Sequence, residues 1–235
     1  MKLQALIFDV DGTLADTERY GHLPACNEAM TELNLGIEWS WEKYKTMIQT
    51  IPGSVNRLIY ELDKRSMTKE KKEKTVKLFR TLKQNLYVIK YLPEIKLRKG
   101  IENIIRQAID QNVKLAIVSS SHEKQINALL KSQLVEFYDK FVIVLGKESG
   151  KKTDNNGFLH KKCLGQLGVK KENAIVIEDA GDGLRAATLA GISTAVFYND
   201  YTFGDDFRHA KLVAPSIDFF SLKLLTEICL SKINQ

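Results

Sequence analysis

Near the N-terminus Leu3, Ala5, Leu6, Ile7, Phe8 and Val10 follow one another with few polar breaks, which predicts a buried strand over residues 3–10. From Asp16 to about Leu92 the apolar residues recur at helical spacing and no buried strand is evident. Gly36, Pro52-Gly53 and Ser66 divide this stretch into about four helices. Further on, strands predicted at 113–118 (VKLAIV), 141–145, 174–178 (AIVIE) and 193–197 alternate with helices at 99–111, 122–132, 157–167 and 181–190. Such alternation predicts an α/β fold, a parallel sheet with helices on both faces. An all-helical segment, 16–95, therefore interrupts an α/β core formed by 1–15 and 96–235. Trp39 and Trp41 are expected to pack inside the helical segment, and Phe219 and Phe220 to belong to a C-terminal helix.

Composition changes this picture little. Of 235 residues, 44% are hydrophobic and 27% charged, the balance of a soluble globular protein with a substantial core. No stretch is apolar and long enough to span a membrane, and acids follow the first apolar run without a small-residue cleavage site. A cytoplasmic chain is expected. Cys26, Cys163 and Cys229 stand far apart with no C-x-x-C pair, which points to reduced structural thiols. Charge is uneven: the net charge is +6, yet residues 57–100 hold 14 lysines and arginines against 5 acids. Within 64–84, Val76, Phe79 and Leu82 recur at helix spacing, and Phe79 is the one aromatic. This reads as a solvated helix face, with steering of a small anion as the functional alternative and nucleic-acid binding disfavoured.

Ligands of such sheets bind at the carboxyl ends of the strands. There the first strand offers Asp9 and Asp11, and the second Ser119, Ser120 and Ser121. Lys147, Lys151 and Lys152 follow the third, and Glu178 and Asp179 end the fourth. Positions i and i+2 of an extended chain point the same way, so Asp9 and Asp11 can face one site with Glu178 and Asp179. Clustered carboxylates repel unless a cation is present, and hard oxygen donors favour Mg²⁺. Ser120 and Glu123 have capping-box spacing, which would turn backbone N–H groups toward an anion. A lysine opposite the acids would neutralise phosphate charge. Acids, hydroxyls, lysine and Mg²⁺ together fit phosphoryl transfer, with a carboxylate able to act as nucleophile. Singly, each feature has an ordinary reading as cap, surface charge or loop; the agreement of four strand ends argues for a site.

At these residues the sequence resembles the haloacid dehalogenase-like superfamily. FDVDGTLADTE (8–18) is similar to its DxDGTL motif, IVSSS (117–121) to its second motif, and VIEDAGDGLRAATLAGI (176–192) to its acidic motif in the helical-cap branch. The resemblance spans core and helical segment and implies a Rossmann-like core with an inserted all-helical cap. It implies that Asp9 is the nucleophile and that Asp11 is general acid, then base, its backbone carbonyl also binding Mg²⁺. Ser119, with Ser120 beside it, would hold the phosphate, Glu178 and Asp179 would complete the metal site, and Thr13 would support the loop. The third motif departs from the family's Lys-Pro: KKTDNNGFL (151–159) stands there. Its lysine is placed at Lys152, with Thr153 in the proline's position and Lys151 or Lys147 as alternatives.

TERYGHLPACNEAM (17–30), IEWSW (37–41) and NDYTFGDDF (199–207) further resemble the CbbY-like sugar-phosphate phosphatases. A helical insert directly after the nucleophile loop can fold over the strand ends, with Ala15–Thr17 and Lys90–Leu97 as the expected hinges, excluding water and choosing the substrate. Glu18, His22, Ser54 and Arg57 are its candidate substrate residues; for His22 packing within the cap is the alternative. Where members often read Gly-Gly-Lys-Glu-Arg, this chain reads Pro52-Gly53-Ser54-Val55-Asn56-Arg57. Ser54 and Asn56 replace groups that could grip a distal phosphate, with Arg57 one residue away. The implied substrate is thus a sugar phosphate, not xylulose 1,5-bisphosphate. One alternative, a phosphomutase of the β-phosphoglucomutase kind, shares these residues; another, a non-catalytic anion-binding module, would use the basic segment, and the intact catalytic set argues against it. A small phosphorylated substrate, no nucleic-acid or membrane partner, and a monomer are expected.

Overall fold

The computed structural model describes residues 2–231. The chain divides into two compact units, Thr17–Ile95 and Met1–Asp16 with Lys96–Gln235.

The first unit is helical: α1 (Leu23–Glu32), α2 (Trp41–Thr50), α3 (Ser54–Asp63) and α4 (Lys69–Leu86), with wide turns at Glu18–His22 and Tyr87–Tyr91. Ser40 and Thr68 accept hydrogen bonds from the N–H groups of Lys43 and Lys71, each 3.3 Å, which caps α2 and α4. Its core gathers Met30, Trp39, Tyr44, Leu58, Leu62 and Phe79, with Trp41 packed against it. The Asn27 amide clamps the Trp39 backbone, accepting from its N–H and donating to its carbonyl, both at 2.9 Å. On α4, Phe79 is buried while Lys69, Lys71, Lys74, Lys77 and Arg80 are exposed, as a solvated basic face requires. Lys83 is the buried cation of this helix.

In the second unit the strands are β1 (Ala5–Phe8), β2 (Lys114–Val118), β3 (Phe141–Leu145), β4 (Ala174–Glu178), β5 (Ser193–Phe197) and β6 (Leu212–Ala214). They form one parallel sheet ordered β3-β2-β1-β4-β5-β6. Its helices are α5 (Ile101–Asp110), α6 (Glu123–Gln133), α7 (Phe158–Leu167), α8 (Gly181–Leu189) and α9 (Leu222–Leu230). Ala5, Ile7, Ala116, Val118 and Val176 face a cluster containing Leu159, Cys163, Leu167 and Ala187 of α7 and α8. All four β1 residues are buried, because helices cover both faces and β1 lies at the centre. Each fully buried Leu, Ile or Phe contributes about 1.5–3 kcal/mol. Phe8 pairs with Ile117 on β2 and Ile177 on β4, so these three strands end level and their following residues share one edge.

Two expectations are corrected. The spacing does not predict the last described strand, β6, because its three residues are too few to carry a periodic signal. Phe219 and Phe220 precede the C-terminal helix instead of belonging to it. Ser221 accepts from the Leu224 N–H at 3.2 Å and starts α9 there, leaving Phe219 exposed and Phe220 against Phe197.

Candidate active site

Asp9 continues the β1 ladder by donating its N–H to the Ile177 carbonyl at 3.0 Å, which pins it beside the end of β4. The chain then turns sharply through Gly12, whose φ is +83°; a Cβ there would lie 2.2 Å from an Asp179 carboxylate oxygen. Only glycine meets both demands. The Arg98 guanidinium fixes this loop from outside, donating to the carbonyls of Gly12, Phe197, Tyr198 and Pro215.

Around Asp9 the side chains form one buried network. Lys152 Nζ lies 2.5 Å from Asp9 Oδ1 and 2.5 Å from Glu178 Oε1. Asp179 accepts from Thr13 Oγ1 at 3.3 Å and from Asn199 Nδ2 at 2.8 Å; the same amide donates to the Gly12 carbonyl. Carboxylate oxygens of Asp9, Glu178 and Asp179 all lie within 4.8 Å of one another. Gly183 makes room for this group, since a Cβ there would fall 2.1 Å from Glu178 Oε1.

Burial raises the Asp9 carboxyl, with Asp11 adding and Lys152 opposing. Burial likewise pushes Glu178 up to about 7, against the pull of Lys152 and with Asp9 adding. Asp179 is raised well above its ordinary value by burial and by its neighbours Asp9 and Glu178. Burial opposes the Lys152 ammonium, but Asp9 and Glu178 outweigh it and raise its pKa. Three buried carboxyls against one ammonium resist full ionisation until further positive charge arrives, and an all-oxygen donor set suits a hard divalent cation.

Asp11 takes a different partner. Its carboxylate accepts a hydrogen bond from Ser121 Oγ and lies outside the group of three acids, yet close enough to Asp9 to help raise its carboxyl. Ser119 is buried; its N–H reaches the Leu145 carbonyl at 3.0 Å and its hydroxyl accepts from the Ser121 N–H at 3.2 Å. Ser120 is exposed. The expected Ser120–Glu123 capping box does not form. His122 occupies the N-cap of α6 without a side-chain cap, and Glu148 from the neighbouring loop accepts the Glu123 N–H at 2.9 Å. Of the three candidate lysines, Lys152 is buried among the acids, while Lys147 and Lys151 are exposed.

Within the helical unit, Arg57 is buried and committed: Nε donates to the Ile51 carbonyl at 2.9 Å and Nη1 to Tyr44 Oη at 3.0 Å. Tyr44 in turn donates to Glu18 at 2.7 Å, and Arg57 lies 3.8 Å from the same carboxylate. His22 is buried and stacked on Tyr87 at 4.0 Å, with Nδ1 accepting from Lys83 Nζ at 2.8 Å. Ser54 begins α3, and Asn56 donates to the Pro52 carbonyl at 2.8 Å. Sequence reading missed Lys83, which looks like any other lysine of a basic helix. Nothing local in NDYTFGDDF marks Asn199 as the residue that reaches Asp179, and no spacing singles out Arg98.

A family model described as haloacid dehalogenase-like hydrolase matches residues 6–197, most of the chain. The chain belongs to this family. Among its relatives, the plasmid protein CbbY of Cupriavidus necator is 33% identical over 223 residues, covering 92% of this chain and 86% of that protein. A CBBY-like protein of Arabidopsis thaliana is 31% identical, covering 89% and 67%. Among solved structures, CbbY from Rhodobacter sphaeroides in complex with xylulose-(1,5)bisphosphate matches with a TM-score of 0.77 at 26% identity, covering 95% and 99%. A β-phosphoglucomutase from Clostridium difficile shares the fold with a TM-score of 0.70 at 22% identity, covering 96% of each chain. The family and these relatives make the chain an enzyme, a phosphatase of the haloacid dehalogenase-like type. Among the described residues, no helix is long and apolar enough to cross a membrane.

Proposed function

We propose that this chain is a Mg²⁺-dependent phosphatase that hydrolyses a sugar phosphate through an aspartyl-phosphate on Asp9. The observation that carries the proposal is the Asp9 carboxylate, buried beside Lys152 and within 4.8 Å of two further carboxylates at the carboxyl edge of the sheet. Sugar phosphate as substrate class rests on the likeness to CbbY, which in the Rhodobacter sphaeroides structure binds a sugar bisphosphate.

In this scheme Asp9, Glu178, Asp179 and the Asp11 carbonyl would hold Mg²⁺, which supplies positive charge to the transferring phosphoryl group. Lys152 and Ser119 bind the phosphate oxygens. An Asp9 carboxylate oxygen forms a bond to phosphorus while the bond to the leaving sugar oxygen breaks, and Asp11 gives that oxygen its proton. Asp11 then takes a proton from water, whose oxygen attacks phosphorus and breaks the acyl-phosphate bond, freeing Asp9 and inorganic phosphate. Ser121, which donates to the Asp11 carboxylate, would orient it between these two tasks.

A panel of phosphorylated metabolites assayed for phosphate release in magnesium chloride tests the proposal. Release from at least one sugar phosphate, stopped by EDTA and restored by Mg²⁺, is the expected result. Isomerisation of a hexose phosphate primed by a bisphosphate, without net release, would make the chain a mutase instead. Full activity after metal removal would overturn the metal assignment.

A further inference from the structure

The loop that carries the serines and the loop that leads to Lys152 belong to neighbouring strands, β2 and β3, and two acids fasten them together. Glu123 Oε1 accepts from the Gly146 N–H at 3.1 Å and from Ser149 Oγ at 2.8 Å. In return Glu148 Oε2 accepts from the Glu123 N–H at 2.9 Å, and its Oε1 lies 2.7 Å from His122 Nδ1. Between these pairs the Lys147 N–H donates to the Ser121 carbonyl at 2.9 Å. The approach is so close that a Cβ on Gly146 would lie 2.6 Å from Glu123 Cγ and 2.7 Å from the Ser121 carbonyl. The Glu123 backbone N–H and then His122 hold the Glu148 carboxyl down at about 2, so it is the ionised acceptor at neutral pH. An ionised carboxylate on the first N–H of α6 also complements the positive end of that helix.

We propose that Glu123 and Glu148 are positioning residues of the phosphate site, a reciprocal clasp that holds the serine loop 119–121 at a fixed distance from the loop 147–152. The inference rests on the phosphatase reading above. Ser119 and Lys152 come from different strand ends, and the two would bind one phosphate. A displacement of either by a fraction of an ångström weakens the anion site, because anion binding depends on donors aimed in advance. The backbone between Ser149 and Lys152 contains Gly150, whose φ is +141°, so the clasp, with the Lys162 ammonium on the Ser149 carbonyl at 3.2 Å, sets where the segment leading to Lys152 begins.

Phosphate affinity separates positioning from simple stability. Inorganic phosphate is titrated calorimetrically into the protein in magnesium chloride, and p-nitrophenyl phosphate hydrolysis and thermal midpoint are measured beside it. Glu123→Ala and Glu148→Ala are expected to bind phosphate roughly tenfold more weakly and to turn over the ester slower by a similar factor, at temperatures where both stay folded. Both Glu123 bonds fall on one oxygen, which an amide retains, so Glu123→Gln should stay within about twofold of the parent. If an alanine variant does not fold, Ser149→Ala, which removes one bond of the clasp, decides and should weaken phosphate by about two- to threefold. Phosphate binding unchanged in the folded variants, Glu123→Gln as weak as Glu123→Ala, or no phosphate binding by the parent overturns the clasp. Parent protein that binds phosphate with this variant pattern yet hydrolyses no ester overturns the phosphatase reading and upholds the clasp.

Discussion

At Asp9 the side chain has given up water for a lysine and two other acids, and that exchange decides what a substitution does. Asp9→Asn keeps the volume and loses the nucleophilic oxygen, so it should abolish turnover of p-nitrophenyl phosphate, by at least about a thousandfold, with the thermal midpoint nearly unchanged. Arg57 has the opposite character. Its buried guanidinium satisfies Ile51 and Tyr44, so Arg57→Ala should destabilise the protein by about 3 kcal/mol in urea unfolding. His160 is wholly buried on α7, and among the described residues neither ring nitrogen has a hydrogen-bond partner. Burial, then the nearby Lys152 ammonium, depresses this imidazole to about 3, with Asp154 opposing. Below about 6.5 the unfolded chain takes up a proton here that the folded chain refuses until about 3. Stability attributable to His160 is therefore full above that upper value and lost as pH falls through the window, at up to about 1.4 kcal/mol per pH unit. Unfolding free energies at pH 7 and pH 5 should differ less in His160→Leu than in the parent; equal differences would refute this account.

Among the elements, β4 and the start of α8 show how local sequence serves a distant group. Gly183 lies in the first turn of α8, where alanine would ordinarily favour the helix. Here its Cβ would fall on the Glu178 carboxylate. Gly183→Ala should therefore displace Glu178 and raise the Mg²⁺ concentration for half-maximal activity by roughly tenfold, with the fold retained. An unchanged magnesium requirement would remove Glu178 from the proposed metal site. The N-terminus of α6 teaches a related lesson. Its cap comes from Glu148, 25 residues further along the chain, so the local Ser-x-x-Glu spacing misidentified the partner.

For the whole molecule, the division into a helical unit and an α/β unit predicts a kinetic division. Should the helical unit choose the substrate, as the family resemblance implies, His22→Ala or Ser54→Ala would alter kcat/KM among sugar phosphates. Hydrolysis of p-nitrophenyl phosphate would stay within a few fold. Ser119→Ala and Lys152→Ala should depress every substrate, since they would grip the phosphate whatever the leaving group. Equal proportional losses from both sets of substitutions would show that the helical unit plays no part in selection. The exposed basic face of α4 fits the solvated reading of its sequence, with Lys72 paired to Asp63 of α3.

Hydrophobic periodicity by itself determined the α/β class, five of the six strands among the described residues and the helical interruption after β1, because burial of a strand or a helix face is written in local spacing. The acids and hydroxyls at the strand ends were legible for the same reason: a parallel sheet brings its carboxyl ends to one edge whatever the loops do. The partner of each group was decided only in three dimensions. Lys152 reaches Asp9 across 143 residues, and nothing local distinguishes it from Lys151, whose side chain is exposed. Asn199 finds Asp179, Arg98 finds the Gly12 carbonyl, and Lys83 finds His22 in the same way. Such pairings depend on which side chains share a buried volume too small for water to satisfy them, and that is a property of packing between distant segments, not of the spacing along any one of them.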